Sequence, residues 1–339
     1  MTGRYVLYGG LGSPYSMKMR ALMRYRRLPH DWVQLGAPGA PDALAQVKVP
    51  VIPVLRFPDG RHANDSTPLT LELERLHPGE RSVLPDDAAQ CFLARLLEDM
   101  ADEWGTKAMF LYRWLRERDQ RQMSEWLAFD RYTGFGLERI MKHAASFRDR
   151  QVGRMALVGC TQANAPLVEA SNDRVMALLD AHVTGERFLF GSRPSIADFG
   201  WLGQLSQLAN DPTSAEHMRE RFPWLFRWLM QLDDASGVEG AWRPPEAPTS
   251  AAVAGMLAVA AEVYFPFLEA NAAAIAAGRD TFRFEAWGLP YEQGTFKYQL
   301  RCLQELRALY RALPAAARAR VDADLPEAAR ASLSREGPG

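Results

Sequence analysis

The chain has 339 residues, of which 47% are hydrophobic and 24% are charged. This length and composition predict a globular protein with room for more than one domain. Its 40 basic and 41 acidic side chains give a formal net charge of -1. Such a balance gives no reason to expect nucleic acid or an anionic membrane surface as the main partner.

The three cysteines, Cys91, Cys160 and Cys302, lie far apart and form no CxxC pair. The sequence therefore indicates neither a metal site nor a disulfide framework, and free thiols are typical of a reducing compartment. The first residues contain no apolar run of signal-peptide length, and the alanine-rich stretch 250–261 is too short to span a bilayer. We expect a cytoplasmic protein with no metal and no membrane contact.

The first 82 residues alternate strand and helix patterns, which predicts a small α/β domain. Ser13-Pro14 is typical of a helix start, with serine as the N-cap and proline at the first helical position. A last short strand is expected between Gly60 and Asn64, and a cis bond before Pro53 would let a strand begin there. The other predicted elements are strands at 5–8, 31–35 and 51–57, helices at 15–27 and 66–76, and a short helix within 38–46.

From Ala88 to the end the pattern is helical, which predicts an all-helical domain over 88–235 and a helical extension over 236–339. The first helix, 88–118, is expected to bend or break near Trp104-Gly105, and a helix at 251–277 is expected to be interrupted at Pro266. The tail after Leu325 is small and polar, so we expect it to fray. The other predicted helices are 120–129, 137–148, 165–182, 196–208, 215–221, 224–234 and 296–313.

Four motifs occur in an order and at a spacing that resemble the glutathione transferase superfamily. Each motif is weak alone, and their combination carries the resemblance, which covers roughly residues 4–232. The motifs are GSPYS at 12–16, VIPVL at 51–55, NDS at 64–66 and GSRPSIAD at 191–198. The resemblance implies a thioredoxin-like α/β domain at 1–82, which binds glutathione as co-substrate, followed by an all-α domain and additional C-terminal helices.

The resemblance also implies a role for each residue of the glutathione site. Ile52, before Pro53, would pair its backbone with the cysteinyl part of glutathione, and Asp65 and Ser66 would hold the γ-glutamyl group. The family more often has glutamate or glutamine at the position of Asp65. Simpler readings remain: Pro53 can merely end a strand ladder, and Asp65 or Ser66 can be an ordinary N-cap.

The residue that activates the thiol is open between two hydroxyl groups, those of Ser13 and Tyr8, with Tyr15 as a weaker third option. Ser13 occupies the position where serine-type classes place their activating serine, and Tyr8 stands at the end of the first strand, as in tyrosine-type classes. Either can instead be structural, Ser13 as an N-cap and Tyr8 as a core aromatic. Because neither Ser13 nor Ser16 is a cysteine, dithiol redox chemistry is disfavoured.

Ser195 and Asp198 have the spacing of a capping box before an apolar helix, so we interpret them as a structural N-cap. The resemblance places the second-substrate site against the first helices of the helical domain, where Trp104, Met109 and Tyr112 would form an apolar wall. Arg113 would meet an anionic group of a substrate. Any of these aromatics can equally be core residues.

Arg113 can alternatively pair with Glu98 or Asp102 on the same helix. The C-terminal extension can be extra packing, a cap over the second-substrate site or an added dimer surface.

The leading prediction is a glutathione transferase that conjugates the glutathione thiolate to a small hydrophobic electrophile. The alternatives are a non-catalytic binding protein of the same fold and a glutathione-dependent isomerase or lyase, because the fold supports all of these. The resemblance also implies a homodimer.

Overall fold

A computed structural model describes residues 3–79 and 81–335. The chain forms two compact units, and each contains segments from several parts of the sequence. Unit 1 consists of Met1–Val83, Tyr112–Val152 and Phe199–Glu239, and unit 2 consists of Leu84–Leu111, Gly153–Asp198 and Gly240–Gly339. The division of the sequence into 1–82, 88–235 and 236–339 stays a prediction.

The amino-terminal part of unit 1 is the predicted thioredoxin-like α/β fold, built on a four-stranded mixed sheet of order β2-β1-β3-β4. Strand β1 runs parallel to β2 and antiparallel to β3, and β3 runs antiparallel to β4. The expected short strand before Asn64 is confirmed as β4. The strands are β1 (Tyr5–Gly9), β2 (His30–Gln34), β3 (Val54–Arg56) and β4 (His62–Asn64).

Strand β3 is shorter than the predicted 51–57 because the Ile52–Pro53 peptide bond is cis and proline has no N–H to donate to a ladder. Three helices accompany the sheet: α1 (Pro14–Tyr25), α2 (Ala40–Ala45) and α3 (Ser66–Leu76). Ser13 caps α1 and Pro14 is its first residue, as the sequence predicts. The side chains of Tyr5 and Leu7 are buried, which fixes one face of β1 in the core.

The helical part of the chain contains further helices between residues 88 and 334, and the expected break near Trp104-Gly105 is a π-helical turn over Ala101–Gly105. A second π-helical turn covers Ala260–Tyr264, just before Pro266. The helices are α4 (Ala88–Met100), α5 (Thr106–Leu115), α6 (Glu117–Tyr132), α7 (Leu137–Val152), α8 (Ala165–His182), α9 (Ile196–Leu208), α10 (Pro212–Arg221), α11 (Pro223–Leu232), α12 (Ala251–Val259), α13 (Phe265–Ala276), α14 (Lys297–Arg311), α15 (Ala315–Asp324) and α16 (Glu327–Ser334).

Unit 2 corrects two predictions for the last hundred residues. The chain is not helical throughout, because β5 (Thr281–Ala286) and β6 (Leu289–Gly294) form an antiparallel hairpin. The part of the tail at residues 327–334 does not fray, because it forms α16, which buries Ala329 and Leu333; the rest of that expectation, from residue 336 on, lies outside the described residues. Aromatic packing explains the hairpin: Trp104 lies against Phe284 and Tyr291, with ring centroids 6.2 and 5.2 Å apart.

The run Ala251–Ala276 is longer than the predicted apolar stretch and has the length and composition to cross a membrane. Of its most apolar window, 67% is buried inside the protein. A core helix of a folded domain passes the same length and composition test, so we describe this run as a core element of unit 2.

Candidate functional site

Strand register brings four separate stretches of unit 1 to one end of the sheet. Val54, the first residue of β3, pairs with both Tyr8 near the end of β1 and Asn64 at the end of β4. The cis Pro53, just before β3, and Asp65, just after β4, therefore lie at the same end of the sheet. Helices α1 and α3 both begin at this end, which gives a cluster of helix N-termini and loops suited to anionic groups.

Ile52 lies beside the loop that joins β1 to α1. A Cβ atom placed on Gly10 would stand 3.3 Å from the Ile52 Cδ1 atom. The side chain of Ser13 accepts a hydrogen bond from the Ser16 backbone N–H at 3.3 Å, so its N-cap role is present in the structure. The two sequence-predicted elements, the Ser13 turn and the Ile52–Pro53 turn, are therefore neighbours.

The first turn of α3 forms the other side of the site. Asp65 has a positive φ of 79° and stands at the N-cap position, a backbone conformation that is rare for residues other than glycine. The buried ammonium group of Lys18, on α1, donates to the hydroxyls of Ser66 at 3.4 Å and Thr67 at 3.3 Å. This cation adds to the positive end of α3, and sequence reasoning did not identify it.

Tyr8 and Ser13 lie differently with respect to the sheet. A Cβ on Gly9 would meet the Ser16 Oγ atom of α1 at 2.8 Å, so Gly9 faces α1. Neighbouring strand residues face opposite sides, so Tyr8 faces away from α1, where its ring lies 6.4 Å from that of His62. The predicted serine therefore stands at the N-terminus of α1, while the predicted tyrosine is on the other face of the sheet.

Arg113 anchors the loop before Ser13 to the helical part of unit 1. Its side chain is 3% exposed and donates two hydrogen bonds to Asp211, at 2.7 and 2.8 Å. It also donates to the Gln207 amide oxygen at 2.9 Å and to the Gly12 carbonyl at 2.8 Å. Gln207 in turn donates to the Leu11 carbonyl at 3.1 Å. The network thus holds two successive carbonyls of the loop.

A cavity of about 510 Å³ lies beside this loop within unit 1. Such a volume is typical of small-molecule sites. Its walls come from the loop, α1, α6 and the end of α9, and α6 supplies Trp126 and Phe129, which are 50% and 54% exposed. Gly12 lets α6 approach closely, because a Cβ there would stand 2.0 Å from Leu127.

The four residues predicted to line a second-substrate site do not line this cavity. Trp104 is buried in unit 2, where its indole N–H donates to the Ser171 hydroxyl at 3.0 Å, and Met109 and Tyr112 are also buried. Arg113 is committed to Asp211, which corrects the predicted pairing with Glu98 or Asp102. The role predicted for the four residues stays a prediction, and the sequence signal for the wall of the observed cavity is the 3-residue spacing of Met123, Trp126 and Phe129 along α6.

Ser195 and Asp198 form a buried structural motif at the start of α9. The Asp198 carboxylate accepts hydrogen bonds from the Ser195 backbone N–H at 2.8 Å and from its hydroxyl at 2.6 Å. It also accepts from the Leu189 N–H at 3.1 Å. Burial raises the pKa of Asp198, and these hydrogen bonds oppose that rise.

A second group of ionisable side chains lies in unit 2. The Tyr264 hydroxyl donates to the Asp99 carboxylate at 2.6 Å. Burial raises the pKa of Asp99 to about 7 and that of Glu103 to about 8, and it lowers the pKa of Lys107. Within residues 3–79 and 81–335, no group of three or more histidine, cysteine or acidic side chains has an arrangement that could hold a metal ion.

Comparison with known protein families gives two matches. The model described as "Glutathione S-transferase, N-terminal domain" matches residues 7–81, and the model described as "Glutathione S-transferase, C-terminal domain" matches residues 165–229. A search of curated proteins gives no match.

Three solved structures illustrate the similarity. Beta-etherase LigF from Sphingobium sp. strain SYK-6 is 18% identical, with a TM-score of 0.48 over 76% of this chain and 99% of that chain. A glutathione S-transferase from Rhodospirillum rubrum F11 is 19% identical, with a TM-score of 0.45 over 71% of this chain and 96% of that chain. A glutathione S-transferase from Methylobacterium radiotolerans in complex with glutathione sulfonate is 20% identical, with a TM-score of 0.41 over 72% of this chain and 99% of that chain.

The matches to the two family models lie in the order of that family, and the first covers the sheet from the middle of β1 onward and the turns that form the candidate site. The chain belongs to the glutathione S-transferase superfamily.

Proposed function

We propose that the protein binds glutathione at the end of the sheet in unit 1 and conjugates it to a small hydrophobic electrophile: the thiolate sulfur forms a bond to the electrophilic carbon, which releases its leaving group or accepts the displaced electron pair. The observation that carries this proposal is the strand register, which places Pro53, Asp65 and the N-termini of α1 and α3 at one sheet end. Three parts of glutathione need partners there. The cysteinyl backbone needs a backbone to pair with, the γ-glutamyl group needs an anion site with a carboxylate nearby, and the thiol needs a site that stabilises the thiolate.

The α-carboxylate of the γ-glutamyl group would lie at the N-terminus of α3, with the Ser66 hydroxyl and the Lys18 ammonium close by. Asp65 would pair with the α-ammonium group. The Ile52 backbone would pair with the cysteinyl residue like an added strand. The thiol would then lie at the N-terminus of α1, where the helix dipole favours a thiolate.

Ser13 is our candidate for the thiol donor. Its oxygen already accepts from the Ser16 N–H, and a hydroxyl that accepts one hydrogen bond can still donate its own proton. Tyr8 is the alternative, and its position on the sheet face opposite α1 favours Ser13. The electrophile would occupy the cavity beside residues 11–12, and aromatic side chains of α6 form part of the wall of that cavity.

The test compares Ser13→Ala, Tyr8→Phe and, as a control, Ser146→Ala, an exposed serine on α7 that bonds only to the backbone of its own helix. Retention on immobilised glutathione measures binding, thiolate absorbance measures the pKa of the bound thiol, and a chloronitrobenzene measures conjugation. We expect Ser13→Ala to raise the thiol pKa and lower kcat by on the order of 10²-fold, with binding retained. The two other variants should stay close to the unmutated protein.

If neither Ser13→Ala nor Tyr8→Phe shifts the thiol pKa, backbone N–H groups stabilise the thiolate instead. Glutathione binding without any conjugation would favour the non-catalytic protein, or the isomerase or lyase. Absence of glutathione binding would contradict the proposal altogether.

We also propose a cytoplasmic homodimer. The cytoplasmic location rests on three cysteines that form no disulfide with one another in the described structure. Sedimentation tests the dimer, and a single species of 38.0 kDa would contradict it.

A further inference from the structure

Most polar side chains that line the cavity are already engaged. Gln207 uses its amide N–H on Leu11 and its amide oxygen on Arg113. The Asn210 amide N–H donates to the Ser206 carbonyl at 2.7 Å. The cavity is therefore left with few hydrogen-bond donors for a substrate.

Among the described residues that line the cavity, Arg20 is the cationic one, and it is already paired. Its guanidinium donates to Asp233 at 2.7 Å and lies 5.4 Å from the centre of the Trp32 ring. Its Nε–H has no acceptor in the described structure, but the Nε atom is fully buried, so a ligand in the open cavity does not reach it. The charge of Arg20 is therefore matched inside the protein and offers little to an anion in the open cavity.

Asp130, on the last turns of α6, differs from these residues. It lines the cavity, and among residues 3–79 and 81–335 its carboxylate has neither a hydrogen-bond donor nor a cation as a partner. Asp130 is partly buried, so its carboxylate has lost part of its water, and this burial raises the pKa of Asp130. A carboxylate that has lost part of its water and has no protein partner can accept a strong, charge-assisted hydrogen bond from a donor that reaches it.

Resting on the proposed function, we infer that Asp130 selects aromatic second substrates that carry a hydroxyl or ammonium group, and that the cavity discriminates against carboxylates. The exposed rings of Trp126 and Phe129 offer faces for an aromatic substrate. An ammonium group near these rings also gains from cation–π attraction. A substrate carboxylate would meet the like charge of Asp130, and the described wall of the cavity would offer it no unpaired cation.

The test uses product analogues of glutathione that differ in one group. Calorimetry at neutral pH compares S-benzylglutathiones with a para aminomethyl, hydroxymethyl, methyl or carboxyl group. We expect the aminomethyl probe to bind about tenfold tighter than the methyl probe, the hydroxymethyl probe to lie between them, and the carboxyl probe to bind about tenfold more weakly. Asp130→Asn should remove the aminomethyl preference and leave the methyl probe unchanged.

Asp149→Asn is the matched control, because Asp149 is 73% exposed on α7 and does not line the cavity. It should keep the full order of affinities. Should Asp130→Asn fail to fold, the order measured on the unmutated protein still decides the inference. Equal binding of the four probes, tighter binding of the carboxyl probe, or an unchanged preference in a folded Asp130→Asn would overturn it.

Glutathione itself separates this inference from the proposed function. If glutathione and all four probes fail to bind, the proposed function is wrong. If glutathione binds but the benzyl probes show no preference for a donor, or do not bind, the proposed function stands and the role of Asp130 is wrong.

Discussion

Removal of the Arg113 side chain, as in Arg113→Met, should destabilise the protein strongly. The change deletes four hydrogen bonds and leaves the Asp211 carboxylate, which is fully buried, without its cation. Breaking a buried ion pair from one side costs about 3–5 kcal/mol, because the remaining charge cannot return to water. Asp119 is a second negative charge that acts on Asp211 and adds to the cost.

The loss should also depend on pH. Burial already raises the pKa of Asp211, and the Arg113 guanidinium opposes that rise, so its removal raises the pKa further. A folded-state pKa above the unfolded value means that stability is present at low pH and falls as pH rises. Urea unfolding should therefore show a larger deficit for Arg113→Met at neutral pH than at acidic pH.

Two comparisons make the measurement specific. Arg118→Met removes an arginine–carboxylate pair with Glu216 in which both side chains are more than half exposed, and it should leave the unfolding midpoint unchanged. The double variant Arg113→Met with Asp211→Leu removes both buried charges and should recover most of the lost stability. A single variant that loses less than about 1 kcal/mol, or a double variant no better than the single one, would refute this reasoning.

Three further predictions concern packing, titration and capping. Gly12→Ala places a Cβ atom 2.0 Å from Leu127 and should lower the melting temperature, whereas Gly237→Ala, with no atom within 4 Å, should not. The pKa of about 7 at Asp99 contributes a fall in stability of up to about 4 kcal/mol as pH rises from about 4 to 7, and Asp99→Asn should make the measured dependence shallower in urea unfolding at several pH values, with the contribution of Glu103 remaining. Ser195→Ala should cost about 1 kcal/mol in the same assay, and an unchanged midpoint would contradict its capping role.

The sheet and its turns could be predicted because their signals are local. Ser13-Pro14 encodes a helix start within two residues, and the short strand before Asn64 follows from a turn and a strand pattern next to it. Asp65 at the start of α3 is local in the same sense. Once these elements have the right order, the register of a mixed sheet brings their ends together without further information.

The wall of the cavity could not be predicted in the same way. The choice of α6 over α4 and α5 depends on which helix lies against the loop at Gly12, and this is settled by packing between residues more than a hundred positions apart. The partner of Arg113 is likewise 98 positions away, at Asp211. The β5–β6 hairpin was not predicted. Its second strand contains Pro290, and proline is unfavourable in a strand, but aromatic packing around Trp104 outweighs that preference.

The hydrogen bonds of Arg113 have two effects, one on the stability of the fold and one on the proposed thiolate site, and a variant can separate them. Arg113 and Gln207 take the carbonyl oxygens of Gly12 and Leu11, so the negative ends of these two dipoles are held by donors on helices α5 and α9. A thiolate at the N-terminus of α1 would benefit from the helix dipole without facing unpaired carbonyl oxygens next to it.

The double variant Arg113→Met with Asp211→Leu removes this hold on the Gly12 carbonyl while it restores the balance of buried charge. We therefore expect that variant to fold with near-normal stability and yet show a raised pKa for the thiol of bound glutathione. An unchanged thiol pKa in a stable double variant would mean that Arg113 serves the fold alone.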